Sequence, residues 1–88
     1  MSRTKFELRI QPKDGSKHMY ASITYEGIVP LRPDDYVDTE VATFMVHSVC
    51  FNPIRGVYSV LLRSELPDDA KAAQMLCDAL EKLAWDIS

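Results

Sequence analysis

The sequence predicts an α+β fold: a four-stranded, mostly antiparallel sheet (β-β-loop-β-β) with one C-terminal α-helix packed on one face. Three observations carry that reading. Residues 4–11 and 17–26 alternate apolar and polar side chains, as half-buried strands do. Residues 40–63 hold two runs rich in β-branched and aromatic residues on either side of a turn. The last stretch places its apolar residues three and four apart, at helical spacing.

In the first strand Phe6, Leu8 and Ile10 point one way, and Lys5, Glu7, Arg9 and Gln11 the other. Pro12-Lys13-Asp14-Gly15-Ser16 is a turn with Asp-Gly as its sharpest signal. The second strand turns Met19, Ala21, Ile23 and Tyr25 inward and leaves His18, Tyr20, Ser22 and Thr24 outside, so the two form a hairpin. Residues 27–38 break the pattern. Pro30 and Pro33 remove amide donors and restrict the residues before them, which predicts a surface loop. Its apolar members, Ile28, Val29, Leu31, Tyr36 and Val37, require part of it to pack down or to meet a partner.

The run 41–51 reads as strand in preference to helix, although Val41, Phe44, Met45, Ser48 and Val49 also recur at helical spacing. Strict alternation gives it two apolar sides: Val41, Thr43, Met45, His47, Val49 and Phe51 on one, Ala42, Phe44, Val46, Ser48 and Cys50 on the other. Asn52-Pro53-Ile54-Arg55-Gly56 closes a hairpin onto the strand that starts at Val57. The helix follows, with Pro67 in its first turn and Asp68 and Asp69 at the positive end of its dipole. Ala73, Leu76, Cys77, Leu80, Leu83, Ala84 and Ile87 form its apolar stripe, and Trp85 falls on the polar side near Gln74 and Asp78. One helix cannot hide both apolar sides of the second hairpin. A homodimer, the commonest closed assembly, is expected to cover the remainder.

Eighty-eight residues make one domain, spanning 1–88. No apolar run approaches the roughly 20 residues that cross a bilayer, no secretory signal is seen, and two cysteines make no disulfide framework. The expected setting is cytoplasmic. Net charge is −3 and unevenly placed: residues 1–18 carry +3, residues 19–40 carry −4, residues 41–66 carry +1 and the remainder −3. A duplex binder's basic domain is therefore excluded.

No catalytic, cofactor or metal constellation stands out. His18, His47, Cys50 and Cys77 lack the paired spacing of a zinc site, and in a regular strand His47 and Cys50 point to opposite faces. Cys50 and Cys77 read as small core hydrophobes and His47 as a buried or interface histidine. No glycine-flanked serine or phosphate-cradling glycine loop is present. Two non-enzymatic readings follow. In the first, the protein is a small homodimeric interaction module, an acidic inhibitor of a basic protein surface, using Asp34, Asp35, Tyr36, Asp38 and Trp85, the last as an exposed anchor or else tucked under the acidic loop. In the second, Lys5, Arg9, His18 and Tyr20 bind single-stranded nucleic acid, offering charge and a stacking ring.

Overall fold

The computed structural model describes residues 2–88. It is an α+β fold with a C-terminal helix against a sheet, but the sheet is larger and more mixed than predicted. The elements are β1 (Arg3–Ile10), β2 (Met19–Glu26), β3 (Tyr36–Asp38), β4 (Thr43–Asn52), β5 (Val57–Leu62), α1 (Ala70–Lys82) and β6 (Asp86–Ile87). They form one six-stranded sheet in the order β3-β4-β5-β1-β2-β6. β1 and β2 pair antiparallel from Arg3↔Glu26 to Ile10↔Met19. The second hairpin docks with β5 parallel to β1, Phe6 opposite Val60. That parallel junction and the short edge strands β3 and β6 are the departures from the four-stranded antiparallel expectation. Both extra strands lie in segments without alternation, and the junction joins residues more than fifty positions apart.

The core lies on one face of the sheet. Phe6, Leu8 and Ile10 of β1, Ala21 and Ile23 of β2, Phe44 and Val46 of β4, and Val60 and Leu62 of β5 meet Ala73, Cys77 and Leu80 of the helix. Tyr25, expected inside, is 50% exposed at the open end of its hairpin, where its ring meets Phe6 edge-on. Residues 27–35 cross on the same side, where Leu31 packs against the core while Ile28 and Val29 stay exposed. Buried Thr4 pins this crossing: its hydroxyl donates to the Gly27 carbonyl (2.7 Å) and accepts from the Val29 amide (3.0 Å). Farther along, the Tyr58 hydroxyl donates to the Leu31 carbonyl at 2.8 Å. Asp34 and Asp35 then bracket Val46 through backbone bonds of 2.8 Å each and bring the chain to the edge of β4.

A β-bulge corrects the two-sided reading of β4. Val46 pairs with Leu62 and Ser48 with Leu61, which leaves His47 as an extra residue. Alternation therefore changes phase at His47. Phe44 and Val46 before it, and Val49 and Phe51 after it, face the helix side together. Thr43, Met45, His47, Ser48 and Cys50 face the open side. The surplus apolar surface that made self-association necessary is thus largely absent from the open face. His47 is exposed there, and so is Cys50.

The helix begins later than Pro67 predicts. Asp69 caps it, accepting from the Ala72 amide at 2.8 Å. It also ends earlier, in a Schellman turn. The Ala84 amide bonds the Glu81 carbonyl (3.0 Å), the Trp85 amide bonds the Leu80 carbonyl (3.1 Å), and Ala84 takes φ +71°. The chain reverses there, so Trp85 is not a helical residue at all. Its side chain is 5% exposed within the core, and Asp86–Ile87 adds β6 beside β2.

Between β5 and α1, Glu65 bridges to Ile10, its amide donating to the Arg9 carbonyl at 2.9 Å. Partial burial raises the Glu65 carboxyl pKa above the ordinary value. A raised folded-state pKa means that ionisation opposes folding. This carboxyl's stabilising contribution is complete below its unfolded pKa and is lost as pH rises through the folded one. Glu65→Gln is therefore expected to raise the thermal midpoint at pH 7 and not at pH 3, as read from paired melts.

Candidate nucleic-acid interface

The open face is built by strand alternation. Since Thr4, Phe6, Leu8 and Ile10 point into the core, Arg3, Lys5, Glu7 and Arg9 point out along the length of β1. Register places Thr24 and Ser59 on either side of Lys5, and Ser22 and Leu61 on either side of Glu7. Tyr20 stands opposite Arg9. The parallel β1–β5 junction brings in the hairpin turn, because the Arg3 amide bonds the Gly56 carbonyl at 2.8 Å. Asn52 holds that turn, its side-chain oxygen accepting from the Ile54 and Arg55 amides at 3.0 and 3.2 Å.

The result is a shallow groove made of two adjoining depressions of about 370 and 400 Å³ that share Lys5 and Glu7. Arg3 and Arg55 line one end and Arg9 and Tyr20 the other. A smaller depression continues from Arg9 to His47. Four cationic side chains thus line the groove against one acidic side chain, Glu7, whose carboxylate lies 3.5 Å from the Lys5 ammonium. Among the described residues no carboxylate pairs with Arg3, Arg9 or Arg55. The Arg9 guanidinium instead lies over the Tyr20 ring, 5.7 Å from its centroid. Glu26 and Asp86 share this face: register places Glu26 on β2 directly across from Arg3, and Asp86 on β6 across from Ser22.

Of the residues expected to contact nucleic acid, Lys5, Arg9 and Tyr20 come together in this groove, while His18 is exposed in the turn before β2. Arg3 and Arg55 were missed. Arg3 shares the parity of Lys5 and Arg9, so alternation contained it; Arg55 arrives only through the long-range parallel pairing.

The residues expected to form an acidic partner surface are not gathered into one site. Trp85 is in the core, against the exposed-anchor expectation. The Asp34 carboxylate takes a bond from the Arg63 guanidinium at 3.1 Å, and Asp35 accepts from the Arg32 amide at 2.8 Å. Asp38 accepts from the Thr43 hydroxyl at 3.4 Å. Tyr36, 65% exposed, stands on the open side at the far edge, opposite Met45.

The bulge also overturns the argument that His47 and Cys50 face apart, since both reach the open side. They acquire no third ligand: among the described residues no three His, Cys, Asp or Glu side chains converge on a common point. Cys77 is buried beside Met19, its sulfur 3.6 Å from the Met19 sulfur. Burial, together with the nearby charges of Asp78 and Glu81, pushes its thiol pKa up, away from nucleophilic chemistry. Among the described residues no helix is long and apolar enough to cross a membrane. No family model, curated protein or solved structure matches the chain.

Proposed function

We propose that this is a non-enzymatic binding module that takes single-stranded nucleic acid along the open face of its sheet. One observation carries the reading: Arg55, Arg3, Lys5 and Arg9 line a single groove, closed at one end by an exposed tyrosine, on a protein whose net charge is −3. From Arg3 to Arg9 the groove spans about 20 Å at strand rise. Backbone phosphates follow the cations. A base stacks on Tyr20, whose ring already carries a guanidinium on one side. Ser22, Thr24 and Ser59 supply hydroxyls between the charges. The shallow groove suits an unpaired strand, whose bases are free to turn toward the protein. A duplex would press its second backbone against Glu26 and Asp86.

The acidic-antagonist reading has less support, because Trp85 is buried and Asp34 and Asp35 are already engaged within the chain.

Fluorescence anisotropy with a labelled oligothymidylate tests the proposal. Affinity is expected to fall with salt at a log–log slope of about −0.7 for each phosphate contacted, or about −3 for four cations. Arg9→Ala should weaken binding and flatten that slope by about 0.7. Tyr20→Ala should cost about 1–3 kcal/mol while leaving the slope unchanged. An affinity indifferent to salt, or a duplex held as tightly as the single strand, would refute it.

A further inference from the structure

We propose that Glu7 makes the groove selective for an unpaired guanine in the strand it binds. This selectivity rests on the single-strand reading of the groove and names the base presented at its middle.

Glu7 is a carboxylate in the floor of a cationic groove, lining both adjoining depressions. Glu26, across from Arg3, lines neither. Lys5 and Arg9 stand two residues before and after Glu7 on the same side of β1, each about 7 Å away at strand rise. A phosphate set over Glu7 would meet like charge. The cross-strand row through Glu7 runs on through Ser22 to Asp86, so a second carboxylate lies along it. Phosphates therefore settle at Lys5 and Arg9, and the strand turns a base toward the row between them. The carboxylate is available to that base. Its contact with the Lys5 ammonium, at 3.5 Å, is long for a hydrogen bond, and its side chain is 43% exposed.

The neighbours of Glu7 give the base a place to lie. Leu61, 41% exposed, stands beside it on β5, and the two share a depression with Tyr20. The Tyr20↔Arg9 pair is the next one along the same side from Ser22↔Glu7. A base stacked on Tyr20 thus puts its neighbour over Leu61, edge toward the carboxylate. The chemistry of that edge chooses the base. An ionised carboxylate only accepts hydrogen bonds. Guanine offers two adjacent donors, N1–H and the N2 amino group, which match the two carboxylate oxygens as a fork. Adenine and cytosine each offer one amino group beside a ring-nitrogen acceptor. Thymine and uracil offer a single N–H between two carbonyl oxygens, which the carboxylate repels. In a duplex the guanine donors are already taken by its partner base, so only an unpaired guanine meets the requirement.

Fluorescence anisotropy of the full chain with three labelled probes provides the test: a short oligothymidylate, the same strand with one central guanine, and the same strand with inosine there, which keeps N1–H but lacks the amino group. The guanine strand should bind about tenfold more tightly than oligothymidylate, with inosine between them. The three salt slopes should coincide, since changing the base adds no phosphate contact. Glu7→Gln replaces one acceptor oxygen with a donor amide and should bring the three probes to equal affinity. Circular dichroism verifies that this variant is folded, and the inosine comparison needs no variant. A wild type that binds all three probes alike, or a Glu7→Gln protein that keeps the guanine preference, would overturn the selectivity while leaving the groove's binding of single strands intact. A wild type that binds none of the probes would overturn both.

Discussion

Deleting Met45 should destabilise the protein by at least about 3 kcal/mol, whereas deleting His47, two residues away in the same strand, should cost less than about 2 kcal/mol. The difference is the bulge. His47 is supernumerary in the ladder, so its removal turns β4 into a regular strand and keeps every pairing from Val46↔Leu62 to Asn52↔Val57. Phe44, Val46, Val49 and Phe51 remain on the helix side. The expected cost is that of a flattened local twist, below about 2 kcal/mol. Removing Met45 offers no such escape. If the bulge is kept, Phe44 shifts to the open face and leaves a hole where a 2% exposed phenyl ring had been. If the bulge is absorbed, Val46, fully buried in the native fold, turns outward and His47 turns in. Either way the loss is at least about 3 kcal/mol, from a cavity or from a buried imidazole plus an exposed valine. A domain of this length has about 4–13 kcal/mol in total. Urea titrations followed by far-ultraviolet circular dichroism separate the two deletions. Equal losses would mean that His47 is not the surplus residue.

The same bulge marks where local pattern ceases to determine the fold. β1 and the first part of β2 were legible residue by residue, because each has one greasy and one polar side and a slip by one residue would bury Lys5 or Arg9. β4 was legible as a strand but not as to facing: both of its sides are apolar, so alternation had no polar face to anchor it. The only hint of a break is a histidine in the middle of the run. The end of the helix was hidden for a different reason. A left-handed C′ residue is usually glycine, and here it is Ala84, so the periodicity seemed to continue through Ile87. That concealed both β6 and the burial of Trp85. In the candidate groove, Lys5, Arg9 and Tyr20 followed from strand parity. Arg55 did not, since the parallel β5–β1 contact depends on how two hairpins dock, which no short window of sequence records.

Trp85 offers the most direct measure of that hidden end. The reversal at Ala84 brings Trp85 into the core cluster that also holds Leu80, the residue whose carbonyl its own amide bonds. Side chain and backbone thus close the turn together, and the following Asp86–Ile87 can reach β2 only after this reversal. Trp85→Ala removes one of the largest side chains in a core of thirteen buried apolar residues. The two alanines of that core, Ala21 and Ala73, are too small to fill the space. The expected loss is about 3–5 kcal/mol. For a chain of this size that lowers the thermal midpoint by at least about 12 °C. Trp85→Phe, which keeps a ring in the site, should retain most of the stability. Trp85 is also the only tryptophan, so its fluorescence reports on its own environment: blue-shifted emission when native, moving to the red as urea unfolds the wild type. Were Trp85 on an exposed helical face, its emission would already be red-shifted in the native protein and alanine would cost less than about 0.5 kcal/mol. The two placements therefore differ in both spectrum and stability, and a single titration of wild type against Trp85→Ala decides between them.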